Sequence, residues 1–167
     1  MEKKRKALFI DRDGVINRSA LPHEYVTRVE DFEILPGTFE ALRQLAEAGY
    51  DLYVITNQAG IGRGQTTWDE VNTLHKYMQS EFEREGITLQ AIYVCPHKNE
   101  DNCNCRKPKP GLLLQAIREH NIDPSQAIFV GDRETDMEAA RGAGVRGVLI
   151  PSEVGMSAAL PELLKLI

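Results

Sequence analysis

Five short apolar runs recur along the chain: ALFI (7–10), DLYVI (51–55), AIYV (91–94), AIFV (127–130) and GVLI (147–150). Most are continuous rather than alternating, which is the pattern of strands buried on both faces of a parallel sheet. Helical patterns separate them. Over 37–48, Phe39, Leu42, Leu45 and Ala46 form one stripe, and Gly49 stops the helix. Over 67–85, Val71, Leu74, Met78 and Phe82 form a second, opened by Thr67 and Glu70 as a capping box. Pro110 suits a first helical turn ahead of Leu113, Leu114 and Ile117. The segment 134–141 closes at Gly142, and a last helix falls within 157–167. Strand and helix in alternation predict an α/β domain, a mainly parallel sheet with helices on both faces. No repeat, low-complexity tract or linker interrupts 1–167, so a single domain is expected.

Composition narrows the function classes. With 167 residues, 42% hydrophobic and 27% charged, the chain has the make-up of one soluble globular domain. A net charge of −5 argues against nucleic acid as the partner, because such domains carry a basic face. No apolar stretch approaches the roughly 20 residues that span a bilayer. The basic start MEKKRK is followed by ALFI, too short for a signal-peptide core. A cytoplasmic monomer, with neither membrane nor nucleic acid as partner, is therefore expected. Cys95, Cys103 and Cys105 lie within eleven residues, an odd cluster that reads as metal ligation rather than a disulfide framework.

In a parallel sheet the ligand lies outside the carboxyl ends of the strands. Asp11 and Asp13 follow the first run, Thr56 and Asn57 follow the second, and Gly131 and Asp132 follow the fourth. One polar strand end is ordinary solvation; three from distant parts of the chain point to a shared site. Asp11 and Asp13 are two apart in a strand-like stretch and can share a side. Two such carboxylates repel unless a cation or a shared proton intervenes. A hard divalent cation, Mg²⁺ first, with Asp132 as third carboxylate, is the economical answer. Thr56, Asn57 and the loop TNQAGIGRG offer a hydroxyl, an amide and N–H groups suited to phosphate oxygens, although GIGRG alone would be a plain turn. In CRKPKPG, Arg106 and Lys107 supply positive charge for a phosphoryl group. Asp136 either orients the metal ligands or is a favourable charge at a helix N-terminus. An ionised carboxylate is a fair nucleophile toward phosphorus once Mg²⁺ neutralises the phosphate. Asp13 could protonate a leaving alcohol and then take a proton from water.

The stretch CPHKNEDNCNC brings Cys95, His97, Cys103 and Cys105 into one loop, a set suited to a closed tetrahedral Zn²⁺ site; the alternative is a polar loop with free thiols. His75 and His120 sit in helical patterns and read as surface or packing residues, and Trp68 as a packing anchor. Arg63, in GIGRG, could reach a bound ligand.

The motifs FIDRDGVIN, VITNQAG, CRKPKPG and VGDRETD resemble the four ordered motifs of the haloacid dehalogenase-like phosphohydrolases, over nearly the whole chain. The resemblance implies a Rossmann-like three-layer sandwich. It implies Asp11 as a nucleophile that becomes an aspartyl-phosphate and Asp13 as general acid/base. Thr56 and Lys107 would hold the phosphoryl group, and Asp132 would join Asp11 and Asp13 at Mg²⁺. The zinc loop (95–105) is similar to that of one branch, which contains the D-glycero-D-manno-heptose 1,7-bisphosphate 7-phosphatases and the histidinol-phosphatases. There a structural zinc would pin the loop that aims Arg106 and Lys107. His23 and Tyr25, in LPHEYV, match an H-x-Y-V stretch of the sugar-bisphosphate members; with Asn57, Gln58, Arg63 and Arg106 they make the expected substrate contacts. YVTRVEDFEILPG and TNQAGIGRG favour the heptose enzymes over histidinol-phosphatases, where an acidic residue at position 59 and no arginine at 63 are expected. The segment 18–24 is a few residues longer than in typical heptose enzymes, and the zinc loop is at the short end. Little chain remains for a cap, so the site should be capless and open to a small phosphate ester. The expectation is a Mg²⁺-dependent sugar-phosphate phosphatase acting on a heptose bisphosphate. The alternatives are a histidinol-phosphatase or a phosphate-binding module without turnover, and the second has no need of the Asp11/Asp13 pair. Arg106 would reach a second anionic group if it faces the cleft, and would otherwise pair with a loop acid such as Asp101.

Overall fold

In the computed structural model, which describes residues 2–166, Ala7, Leu8, Phe9 and Ile10 are all fully buried. Only a strand covered on both faces can bury four consecutive side chains. This strand, β1 (Arg5–Ile10), is the middle of a five-stranded sheet with β2 (Asp51–Asn57), β3 (Leu89–Cys95), β4 (Ile122–Gly131) and β5 (Arg146–Leu149), in the order β3-β2-β1-β4-β5. Every pairing is parallel, with Leu8 opposite Leu52 on one side and Ile128 on the other. The helices are α1 (Thr38–Glu47), α2 (Trp68–Arg84), α3 (Gly111–Glu119), α4 (Glu134–Ala143) and α5 (Leu160–Leu164). No helix among the described residues is long and apolar enough to cross a membrane.

Alternation along β1 builds two cores. Leu8 and Ile10 pack with Leu42, Leu45, Leu74, Met78 and Phe82 of α1 and α2 on one face. Ala7 and Phe9 pack with Leu112, Leu113, Ala139 and Ala140 of α3 and α4 on the other. The strand order reverses at β1: the chain runs outward to β3, then returns to β4 on the opposite side. In open α/β sheets that reversal leaves a crevice at the carboxyl ends of the strands, where ligands bind.

Several local expectations shift. Ala46 is exposed, and the buried stripe of α1 is Thr38, Ala41, Leu42 and Leu45, with Phe39 half-buried. Its mate on α2 is Phe82, edge-to-face with Phe39 at 5.1 Å. Leu112 is buried in place of Leu114, which is 43% exposed: one helical position beyond Leu113 turns a side chain about 100° toward solvent. Pro110 is the N-cap of α3 rather than its first turn. The helix α4 runs past Gly142 and ends at Gly144, whose φ of 72° supplies the left-handed cap. Gly142 instead lets α4 lie against Pro110, where a Cβ would come within 3.1 Å. The fourth strand starts at Ile122, not 127, and its pairing with β1 is broken between Arg5 and Ala7. There Pro124 has no N–H to offer the ladder, and Asp123 accepts from Ser125 and Gln126 instead. Thr67 caps α2 as expected, its Oγ1 accepting from the Glu70 N–H at 3.1 Å. Trp68, read as a packing anchor, is 43% exposed.

These positions give a stability test of the α1 face. Leu42→Ala should cost about 2–5 kcal/mol in urea denaturation, as a large-to-small change in a closed core does. Ala46→Glu should stay within about 0.5 kcal/mol of the parent, as an exposed helical position does.

Candidate active site

Asp11 follows β1 directly and still belongs to the sheet, its N–H donating to Val130 O at 3.0 Å. Its carboxylate meets a buried ammonium: Lys107 Nζ lies 2.9 Å from Asp11 Oδ1, 2.7 Å from Asp136 Oδ1 and 3.2 Å from Ile55 O. The Phe129 ring lies 5.4 Å from the same nitrogen. Carboxylate oxygens of Asp11, Asp132 and Asp136 all fall within 4.8 Å of one another. Burial pushes the Asp11 carboxyl well above the usual range; Lys107 opposes the shift, and Asp136 and Asp132 add to it. Burial also works against the charge of Lys107, but the two carboxylates outweigh it and hold the ammonium above its ordinary value. Asp136 Oδ2 accepts from the N–H groups of Asp132 and Arg133, each at 3.2 Å.

Asp132 Oδ2 accepts from Ser152 Oγ at 2.7 Å, whereas its Oδ1 is buried without a partner. A buried, unsatisfied carboxylate oxygen beside two further acids is a donor set that a hard divalent cation completes. Asp11, Asp132 and Asp136 therefore fit Mg²⁺. Gly14 makes room for this arrangement: its φ is 86°, and a Cβ there would lie 2.2 Å from Asp132 Oδ2.

Asp13, expected at the cation, turns its carboxylate away from that cluster. Past Asp11 the chain leaves extended geometry, with the Ile16 N–H donating to Arg12 O, so the two-residue alternation no longer applies. Asp13 Oδ1 accepts from Arg12 Nε (3.1 Å), Arg12 Nη2 (2.7 Å) and Asn17 Nδ2 (3.0 Å), while Oδ2 accepts from Gln58 Nε2 (3.0 Å). Burial alone would raise its carboxyl, but Arg12 and the donors from Asn17 and Gln58 outweigh it and leave Asp13 below the usual range.

A cavity of about 780 Å³ opens over these groups and is lined by Asp11, Asp13, Lys107 and Asp136. Of the residues expected to meet substrate, His23, Tyr25, Asn57, Arg63 and Arg106 also line it. Gln58 does not: it is buried, and its amide nitrogen bridges Asp13 Oδ2 and Thr56 Oγ1, the latter at 2.8 Å. Thr56 is buried beside it. Asn57 ties the second motif to the third, accepting from the Lys107 N–H at 3.2 Å. Arg106 donates to His97 O at 3.4 Å, and Asp101 instead accepts from the Lys98 N–H at 2.9 Å. One wall is the segment 19–26, whose Ser19 N–H donates to Glu153 Oε1 at 2.9 Å.

The thiol and imidazole cluster is assembled as the spacing implied. Cys95 Sγ is 3.0 Å from Cys105 Sγ, 3.7 Å from Cys103 Sγ and 3.5 Å from His97 Nδ1, and His97 Nδ1 is 3.2 Å from Cys105 Sγ. Zn–S and Zn–N bonds of about 2.3 and 2.0–2.1 Å place tetrahedral ligands roughly 3.5–3.8 Å apart, which the Cys95–Cys103 and Cys95–His97 separations match and the two shorter separations to Cys105 approach. The residues fit Zn²⁺.

Four participants escaped the sequence reading. Arg133 and Ser152 follow strand ends, the rule that found Asp11 and Asp132, and could have been found by it. Arg12 lay in view between two acids, but nothing in its neighbours showed that it would be buried. His75, packed under the site from α2, carried no signal beyond its place on the apolar face. His120, also read as packing, lies 4.8 Å from the Tyr53 ring.

A family model described as HAD-hydrolase-like matches residues 104–164. The D-glycero-beta-D-manno-heptose-1,7-bisphosphate 7-phosphatase of Pasteurella multocida is 43% identical over 152 residues, covering 87% of this chain and 81% of that protein. The D-glycero-alpha-D-manno-heptose-1,7-bisphosphate 7-phosphatase of Campylobacter jejuni is 42% identical, covering 90% and 84%. Among solved structures, the D,D-heptose 1,7-bisphosphate phosphatase of B. bronchiseptica, complexed with magnesium and phosphate, superposes with a TM-score of 0.86 at 29% identity, covering 97% of this chain and 99% of that one.

Replacing Lys107 tests the charge balance. Lys107→Met leaves Asp11 and Asp136 without their shared ammonium and should cost about 3–5 kcal/mol of unfolding free energy in Mg²⁺-free buffer. Added Mg²⁺ should return part of that loss, because it binds only the folded cluster. Denaturant titrations with and without the cation read both effects.

Proposed function

Because the chain belongs to the heptose-1,7-bisphosphate 7-phosphatases of the haloacid dehalogenase-like hydrolases, we propose that it hydrolyses the C7 phosphate of D-glycero-D-manno-heptose 1,7-bisphosphate through an aspartyl-phosphate on Asp11. The observation that carries this reading is Asp11 itself: a buried carboxylate lining a 780 Å³ cavity, 2.9 Å from Lys107 Nζ and two residues from a second acid. Asp11 attacks phosphorus while the bond to the C7 oxygen breaks, and Asp13 in its protonated form donates to the departing oxygen. Asp13 then takes a proton from the water that cleaves the aspartyl-phosphate. Its depressed pKa leaves it ionised in the free site, so the proton it gives to the C7 oxygen is one it first takes up from solvent or from the substrate phosphate monoanion, and the one it later takes from water is returned to solvent. Lys107, which lines the cavity, stabilises the transferring phosphoryl oxygens, and Thr56, buried beneath the cavity, holds the Gln58 amide that donates to Asp13. Asp11, Asp132 and Asp136 would hold Mg²⁺, which when bound neutralises charge between nucleophile and phosphate.

Substrate choice rests on the outer cavity. Arg63 comes no nearer to a carboxylate than 3.9 Å, from Glu100, and Arg106 spends one donor on a carbonyl. Guanidinium groups with donors to spare at the rim suit the second phosphate of a bisphosphate, which histidinol phosphate lacks. Named relatives carry both the alpha and the beta heptose in their names. Zn²⁺ on Cys95, His97, Cys103 and Cys105 is structural in this reading, because four protein ligands leave no open position. Thiols kept for a metal suit a cytoplasmic enzyme.

Phosphate release with heptose 1,7-bisphosphate should depend on Mg²⁺ and exceed that with histidinol phosphate. Asp11→Asn and Asp13→Asn should each lower it by at least about 100-fold. Turnover near the parent rate in either variant would exclude the covalent mechanism. Elemental analysis should find one zinc per chain, and Cys105→Ser should lower both zinc content and melting temperature. Zinc-free protein with unchanged melting would count against the structural role.

A further inference from the structure

Arg12 is the largest fully buried side chain of the protein, at 0% exposure. Taking a guanidinium out of water is expensive, and an apolar side chain of similar volume would pack as well. Every donor it uses points at a defined acceptor. Nε and Nη2 reach Asp13 Oδ1, Nη2 also reaches Val26 O at 3.0 Å, and Nη1 reaches His75 Nε2 at 3.1 Å. Phe32 lies 6.0 Å from the guanidinium carbon. Arginine cannot accept a hydrogen bond, so His75 Nε2 must be unprotonated and the ring proton sits on Nδ1. His75 is itself buried, on the inner face of α2. Together the two residues link a helix, the cavity wall at Val26 and the carboxylate of Asp13.

The donors on that carboxylate are unequal. Three N–H groups, two from Arg12 and one from Asn17, converge on Oδ1, and one, from Gln58, reaches Oδ2. We propose that Arg12 and His75 are positioning residues for proton transfer: they saturate Oδ1 and fix the carboxylate plane, so that the catalytic proton resides on Oδ2. That proton passes to the leaving-group oxygen as the P–O bond breaks and its electron pair stays on oxygen. His75 acts through Arg12, accepting the one donor that would otherwise be buried unpaired and holding the guanidinium in register with Asp13. The inference rests on Asp13 as general acid/base and adds which oxygen works and what aims it.

The test is a series of aryl phosphates of one size and graded leaving-group basicity, from phenyl phosphate to 4-nitrophenyl phosphate, read as kcat/KM. That ratio covers the steps through P–O cleavage and is blind to hydrolysis of the phosphoenzyme. Arg12→Met and His75→Phe should lose about tenfold or more on phenyl phosphate and under about threefold on 4-nitrophenyl phosphate, whose leaving group needs little help from an acid. His75→Gln, which keeps an acceptor for Nη1, should recover most of the loss, and Arg12→Lys only part, since an ammonium cannot reach all three acceptors. The His75 pair carries the comparison even where Arg12→Met does not fold, because it leaves the buried charge in place. Equal losses across the series, or none for His75→Phe, would overturn the positioning role. If the parent protein released no phosphate from any member of the series, the phosphatase reading would fall first, so the two failures are distinct.

Discussion

The ammonium of Lys107, buried between Asp11 and Asp136, is the contact on which the rest of the site depends. Three carboxylates gathered within 4.8 Å cannot all ionise in a buried place without compensation. One ammonium leaves two negative charges over, which is the charge of a single divalent cation. Burial first, and then Asp136 and Asp132, push the Asp11 carboxyl upward against Lys107, and Oδ1 of Asp132 is buried without a partner. The free site is thus poised for a metal by its own electrostatics.

Lys107 reaches that position from outside the sheet. It lies on the loop between the thiol and imidazole cluster and α3, and two tethers hold the loop in place. Asn57, at the end of β2, bonds to the backbone of Lys107 from one side. Cys95, at the end of β3, anchors the cluster from the other, with Cys103 and Cys105 packed beside the apolar core. A metal in that cluster therefore acts on chemistry only through geometry, by fixing the stretch of chain that delivers the ammonium. The same reasoning explains why motifs distant in the chain must be intact together: each supplies one wall of a single charge balance.

Arg12 plays the corresponding part for Asp13. The two acids two residues apart are held by separate cations, Lys107 for Asp11 and Arg12 for Asp13, and this separates their titration. Burial drives the first upward; the guanidinium and its neighbouring donors drive the second downward. Two carboxylates of one tripeptide thereby acquire different chemistry from their surroundings alone. Arg12 also holds Val26, while Glu153 holds Ser19, so the segment between them is tied at both ends where it walls the cavity.

The strands, their order of appearance and the residues at their carboxyl ends were legible in the sequence, because continuous apolar runs and polar strand ends are local consequences of burial on both faces. The metal-type spacing of Cys95, His97, Cys103 and Cys105 was legible for the same reason: it lies within one loop. What a segment's periodicity could not supply was direction beyond the strand. Asp13 departs from Asp11 because the backbone leaves extended geometry at Arg12, Gln58 turns inward to Asp13 and Thr56, and Leu112 displaces Leu114 in the core. Arg12 and His75, 63 positions apart, meet only because α2 packs across the end of β1. Sequence alone determined which side chains arrive at the carboxyl edge of the sheet. Tertiary structure decided which of them face the cavity, which hold others in place and which carboxylate faces which cation, since charge pairing in a buried site is set by distances between segments that no local pattern encodes.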